Sequence, residues 1–223
     1  MTIYTKPESR KIVIFGAGGH AVSVANVAMT AGFTISHFVD KSRKGGSLLG
    51  ISIIDDVSEL KNLNQYCFSI AVGDNAVRQE IFNGLSMQHP NIYFPALVHS
   101  SAIISYFSNI GDGTVVMPHA VVGPNSNVGR FCILNTQSSI DHDCSMADYA
   151  SLAPGSVTGG TVSIGIRSAI SIGAVIKHGL NIGNDSVVGA NSYLNRDIPA
   201  NTVAYGTPAK AIRARKIGDA YLK

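Results

Sequence analysis

From Val98 to Leu194 an aliphatic side chain returns every six residues, and Thr158 is the one break in seventeen slots. Four residues after each slot the side chain is small, from Ala102 and Ser108 through Cys132 and Cys144 to Ser192, with Leu180 as the exception. A helix spaces apolar residues by three and four, and a half-buried strand by two. A strict six predicts a solenoid of short parallel strands, with one aliphatic and one small residue turned inward per hexad. Three hexads make one turn, so residues eighteen apart stack at the strand spacing of about 4.8 Å.

Ahead of the coil the pattern alternates between strands and helices. Lys11–Phe15 reads as a buried parallel strand, Gly16–His20 as a turn, and Ala21–Ala31 as a helix stopped by Gly32. Thr34–Val39 is a second strand ending at Asp40, and Ser58–Leu63 a short helix. Phe68–Val72 is a third strand running into Gly73, and Ala76–Leu85 a second amphipathic helix. This predicts a Rossmann-like α/β domain of about four strands over residues 1–95, a coil over 96–206 and a short C-terminal tail over 207–223.

Composition adds limits. With 45% hydrophobic and 14% charged residues and 23 glycines, the chain suits a globular protein whose corners need glycine or asparagine. A net charge of +3 is too small to argue for nucleic acid. Lys210, Arg213, Arg215 and Lys216 carry much of it, either for a phosphate-bearing ligand or as a solvated terminal helix. No apolar run reaches the roughly 18 residues of a membrane span, and no signal-peptide pattern opens the chain, so cytoplasm is expected. Three cysteines fit a reducing compartment, and Cys132 and Cys144 fall in the inward slot as core fillers.

The turn after the first strand, Gly16-x-Gly18-x-x-Ala21 with Asp40 further on, fits a dinucleotide fingerprint. A full dinucleotide site needs two mononucleotide halves, and this domain supplies one. Gly18 and Gly19 would let a phosphate approach the start of the helix, with His20 facing the same crevice. Asp40, with Lys41 beside it, is a candidate acceptor for a ribose hydroxyl or a pyrimidine N–H, and Gly73 is a second point of close approach. Alternatively the glycines only permit tight packing.

On the coil, His142 in Ile140-Asp-His-Asp-Cys144 points outward, with His178 in the same slot two coils away, roughly 10 Å along the axis. Gly160 lies between them and is expected to leave a channel; Asn135 lies at the adjoining corner. A carboxylate beside a corner can curl back onto the imidazole and raise its basicity, which would make a general base. The same three residues also read as a solvated polar corner. His119 sits in another slot, and His142 and His178 are too far apart to share a metal ion in one chain.

Together Ile14-Phe-Gly-Ala-Gly-Gly-His20, Ala71-Val-Gly-Asp-Asn75, Leu134-Asn-Thr136, Ile140-Asp-His-Asp-Cys144, Leu152-Ala-Pro-Gly155 and Tyr205-Gly-Thr-Pro-Ala-Lys210 resemble a known family. It is that of bacterial nucleotide-sugar acetyltransferases of the sialic acid O-acetyltransferase-like, hexapeptide-repeat type. The resemblance covers nearly the whole chain. It implies a left-handed parallel β-helix, a homotrimer with active sites between subunits, and acetyl-CoA as co-substrate without a metal. It also implies acetylation of the 4-amino group of a UDP- or dTDP-linked 4-amino-dideoxysugar. By the same resemblance His142 is the base, Asp143 its partner and Asn135 a positioning residue. Gly18, Gly19, His20, Asp40, Lys41 and Gly73 would hold the nucleotide-sugar; Gly160, Ile172, Ala190 and Lys210 would meet acetyl-CoA. Many members carry a second histidine where this chain has Ser151, which can offer acetyl-CoA one hydrogen bond but no charge.

Three other readings stay open on the sequence. They are an O-acetyltransferase acting on sialic acid or a related nonulosonate, a non-catalytic coil used as a scaffold, and an NAD-dependent oxidoreductase. The repeat runs without insertion, so closure of the site is expected from a neighbouring subunit and the N-terminal domain.

Overall fold

The computed structural model describes residues 11–221. Its N-terminal part is a five-stranded sheet in the order β3-β4-β2-β1-β5. The elements are β1 (Lys11–Phe15), α1 (Gly19–Thr30), β2 (Thr34–Val39), β3 (Ser47–Leu48), β4 (Ile51–Ile54), β5 (Tyr66–Ile70) and α2 (Asn75–Gln88). The apolar run of β1 is explained by burial on both sides. Ile12 and Ile14 pack with Ala21, Val24 and Ala28 of α1, while Val13 and Phe15 join Phe68 and Leu85 on the other side.

Four details depart from expectation. The third strand lies two residues earlier, at 66–70, and the expected short helix resolves into two separate 3₁₀ turns, Val57–Glu59 and Leu63–Gln65. Both helices begin earlier than expected, α2 because the Asp74 carboxylate caps the N–H groups of Ala76 and Val77. The sheet also gains the β3–β4 hairpin. Its turn residues, Leu49 at φ 54° and Gly50 at φ 75°, both take left-handed backbone. Leucine is a poor signal for such a turn, so the hairpin left no clear trace in the sequence.

The second half is a left-handed parallel β-helix. It has seventeen two-residue strands, β6 (Leu97–Val98) to β22 (Tyr193–Leu194), one per hexad. Pairing is parallel with an offset of eighteen residues, as between Val121 and Ser139. Three flat faces result. The first runs through Ile133, Ser151, Ala169 and Val187, the second through Val121, Ser139, Val157 and Val175, and the third through Asn127, Ser145 and Ser163. The aliphatic slots fill the interior, Leu134, Leu152 and Val188 being completely buried.

The small slots have a second reason to be serine. Ser126 Oγ donates to Asp141 O at 2.6 Å and accepts from Cys144 N at 3.0 Å. Ser168 does the same with Gly183 O at 2.6 Å and Ser186 N at 3.0 Å. Each such hydroxyl satisfies a buried backbone N–H and a carbonyl, and bridges neighbouring coils. Cys132 and Cys144 occupy the same slot, both buried, and burial pushes the Cys132 thiol up to about 12. Such a thiol is no nucleophile at neutral pH.

Residues read as a solvated terminal helix instead form β24 (Ala209–Ala214), antiparallel to β23 (Thr202–Gly206), and extend the first face to eight strands. The N-terminal domain grips this face from two sides. α1 packs on Leu97, Val115 and Met117, while Phe82 of α2 meets Phe131 at 4.3 Å between ring centroids.

Candidate active site

The corner between the second and third faces holds His142. Its Nδ1 lies 2.7 Å from Asp143 Oδ2. A carboxylate only accepts, so Nδ1 carries the proton and Nε2 presents its lone pair outward. Neighbouring side chains on a strand diverge, but Asp143 sits at φ 57°, and this left-handed corner folds its carboxylate back onto the ring. Asn125, one coil below, donates to Asp143 Oδ1. The hydrogen bond that His142 donates to Asp143, and then the charge of Asp141, raise the His142 pKa above its usual 6.5. Bonds from Asn125 and then His142 hold Asp143 below the usual carboxylate range. Both side chains are about half exposed, 54% and 47%.

The channel expected at Gly160 is absent, because the His142 ring fills that space. A Cβ on Gly160 would collide with Nε2 and Cε1 of the imidazole. Gly160 therefore acts as a seat for the ring. His178 lies beyond it, where a Cβ on Gly159 would meet the His178 N at 2.9 Å and its Cβ at 3.0 Å.

A separate cavity of about 800 Å³ runs along the first face. Six of the candidate residues line it: His20, Gly73, Asn135, Ser151, Ile172 and Ala190. Arg213, Arg215 and Tyr221 also line it, from the C-terminal segment. His142, Asp143 and Gly160 are outside it, one face further round the coil. Lys210 is exposed on β24 and does not reach it.

At the N-terminal turn the glycines divide by role. Gly16 has φ 102°, and a Cβ there would meet Ala71 O at 2.9 Å, so packing demands glycine. A Cβ on Gly18 or Gly19 would meet nothing within 4 Å. Packing therefore does not account for these two, and the space above them is open at the N-terminus of α1. Asp40 braces this turn, accepting from Ala17 N at 3.1 Å and from Ser42 N at 3.0 Å. Its pKa is lowered, first by the Ser42 hydroxyl. Lys41 is exposed beside it.

His20 is mostly enclosed, and its Nε2 is buried without a partner. Burial, and then the charge of Arg78, push its pKa down to about 4. It is thus a neutral imidazole at pH 7. Ser151 is already engaged, accepting from Asn75 Nδ2 at 3.1 Å and bonding Tyr221. Asn135 Oδ1 accepts from Thr136 N at 2.8 Å.

Sequence reasoning missed Asn75, Arg78 and Tyr221 as parts of this region, whereas Arg213 and Arg215 belong to the basic stretch it had set aside for a phosphate-bearing ligand. Asn75 and Arg78 had a usable signal, since an i, i+3 pair faces one way on a helix that follows Gly73 directly. Among the described residues, no cluster of three or more His, Cys, Asp or Glu could hold a metal, and no helix is long and apolar enough to cross a membrane.

Known proteins resemble this chain over most of its length. Residues 11–85 match the family model described as the PglD N-terminal domain. GDP-perosamine N-acetyltransferase of Escherichia coli O157:H7 is 28% identical over 183 residues, 79% of this chain and 81% of that protein. The acetyltransferase domain of PglB from Neisseria gonorrhoeae, solved with acetyl coenzyme A, is 32% identical with a TM-score of 0.85, covering 92% of this chain and 100% of that one. A histidine-to-alanine variant of GDP-perosamine N-acetyl transferase from Caulobacter crescentus, solved with CoA and GDP-perosamine, is 30% identical with a TM-score of 0.84, covering 91% and 97%. The chain therefore belongs to the bacterial nucleotide-sugar N-acetyltransferases of the hexapeptide-repeat superfamily, enzymes that use acetyl-CoA to acetylate an amino sugar.

Proposed function

We propose that the enzyme acetylates the 4-amino group of a nucleoside-diphosphate-linked 4-amino-dideoxysugar by direct transfer, with His142 as general base. The observation that carries this is the His142–Asp143 pair, with Nδ1 bonded at 2.7 Å and Nε2 left to take a proton. The amine nitrogen attacks the thioester carbonyl and gives its proton to Nε2. The tetrahedral intermediate then expels the coenzyme A thiolate, which recovers that proton. No acyl-enzyme is required. The related Caulobacter enzyme was solved as a histidine variant holding both CoA and GDP-perosamine, which is consistent with a histidine at the centre of the chemistry. Its substrate adds guanine to the bases to be tested, beside uracil and thymine.

The apolar first-face cavity, with Ile172 and Ala190 in its wall, is the proposed bed for acetyl-CoA. The open turn at Gly18 and Gly19, with His20, Asp40, Lys41 and Gly73 around it, is the proposed seat of the nucleotide-sugar. Asn135 is assigned a positioning role at the cavity rim. On one chain His142 and this cavity are a face apart, so the base is assigned to the cavity of a neighbouring subunit. The second face supports a homotrimer as that assembly. Apart from Ser139 its outward residues are apolar, Ile103, Val175 and Tyr193 being 59%, 42% and 38% exposed, whereas the third face shows Asn109, Asn127 and Asn181. Coenzyme A release across UDP-, dTDP- and GDP-linked 4-amino sugars tests the reading. Release with free sialic acid but with no amino sugar would overturn it.

A further inference from the structure

Arg78, 1% exposed, is the largest fully buried side chain of the described residues, and it is a cation. It donates to Phe131 O at 2.7 Å, Tyr149 O at 2.8 Å, Val72 O at 2.9 Å, Gly73 O at 3.2 Å and Asn75 Oδ1 at 2.7 Å. All are neutral oxygens, and among the described residues no carboxylate pairs with it. It also sits in the first turn of α2, where the helix dipole opposes a positive charge. A well-packed apolar residue would be less costly in such a place. Stability is a poor account of this arginine.

Its geometry offers a better one. The only cis peptide among the described residues is Thr207–Pro208, so the bonds around Gly73 are trans. In a trans peptide the N–H points opposite to the carbonyl. With the Val72 and Gly73 carbonyls fixed on the guanidinium, the N–H groups of Gly73 and Asp74 are turned away from it. Neither donates to another backbone group of the described residues. β5 pairs with β1 in parallel, so this loop leaves the sheet beside the Gly16–His20 turn, at the strand ends where open α/β sheets bind ligands. Two sets of unsatisfied N–H groups, from this loop and from the start of α1, then flank one crevice.

We infer that Arg78 is a positioning residue for the nucleotide-sugar: it aims the Gly73 and Asp74 N–H groups at the anionic part of that substrate and locks their loop to the coil. The lock is made at the Phe131 and Tyr149 carbonyls. It extends through Asn75, whose Nδ2 also donates to Arg167 O at 3.1 Å and Ser168 O at 3.2 Å. This rests on the nucleotide-sugar reading above. Nothing in it requires Arg78 to touch substrate.

The test is Arg78→Lys, which keeps the charge but replaces a planar five-donor fork with a point cation. Steady-state kinetics should show KM for the nucleotide-linked amino sugar raised about tenfold, with KM for acetyl-CoA and kcat changed by less than about threefold. Calorimetric titration with UDP, dTDP and GDP should show the same weakening for whichever one the wild type binds. Asn75→Ala, which frees one arm of the fork, should shift both readouts the same way by a smaller factor. Unchanged nucleotide affinity, or equal losses toward both substrates, would overturn the inference. So would loss of cooperative melting in both variants, which would leave the clamp a purely structural role. Should the wild type release coenzyme A with no nucleotide-linked amino sugar, the functional reading fails instead, and the titrations still decide the role of Arg78.

Discussion

The imidazole of His142 occupies the space that a side chain at Gly160 would need, although the two residues belong to successive coils. The position of the base is thereby set by what the next coil lacks. Gly160→Ala should displace the ring from Asp143 and lower kcat about tenfold or more, with KM for acetyl-CoA nearly unchanged. Stopped-time assays of coenzyme A release read this directly. Full activity in that variant would show that the ring tolerates displacement.

Removing the base itself should cost more. His142→Ala is expected to lower kcat by roughly 10²–10⁴ with little change in KM, the usual worth of general-base catalysis. Near-normal turnover would remove His142 from the mechanism.

The pH profile carries a sign. The base works only when neutral, so kcat/KM should fall as pH drops through the His142 pKa. That pKa is raised above 6.5, chiefly by the bond to Asp143. Asp143→Asn removes this cause, so the acid limb should move to lower pH while the plateau falls. An unmoved limb would mean that another group titrates there.

His20 should behave in the opposite sense. Its folded pKa of about 4 lies below the ordinary 6.5, so between those values protons bind the unfolded chain in preference. Stability should therefore be full above about pH 6.5 and decline by roughly 1.4 kcal/mol per pH unit toward pH 4 from this group. Urea melts of wild type and His20→Gln across that range should differ in slope. Parallel curves would contradict the assignment.

Ser126 underlies the catalytic corner through its bonds to Asp141 O and Cys144 N. Ser126→Ala leaves the buried Cys144 N–H unpaired, at a cost of about 1–3 kcal/mol. A denaturant midpoint indistinguishable from wild type would count against the bridging role of these hydroxyls.

The coil was legible because its period is local: six residues determine what faces in, and eighteen determine what stacks. That arithmetic also set His142 outward and sent Cys132 and Cys144 to the core. The junction was hidden because Arg78 bonds to the main chain of Phe131 and Tyr149, and backbone acceptors leave no residue type to recognise. The largely apolar second face was legible in principle, as Val121, Val157 and Val175 stand at multiples of eighteen residues with Ser139 as the break, but the six-residue beat of the interior masked it. Leu49 and Gly50 form a hairpin turn that propensity does not favour, and β24 was obscured by its exposed cations.

One column of corners takes left-handed backbone throughout: Phe107, Asn125, Asp143, Thr161 and Gly179. Asparagine, aspartate and glycine are the residues that tolerate this conformation best, and the first two can also orient an imidazole. A histidine placed just before an asparagine or aspartate corner would be presented as His142 is, provided that the next coil offers a glycine seat. Within this column the corner at Asp143 is the one whose next coil offers that seat, at Gly160.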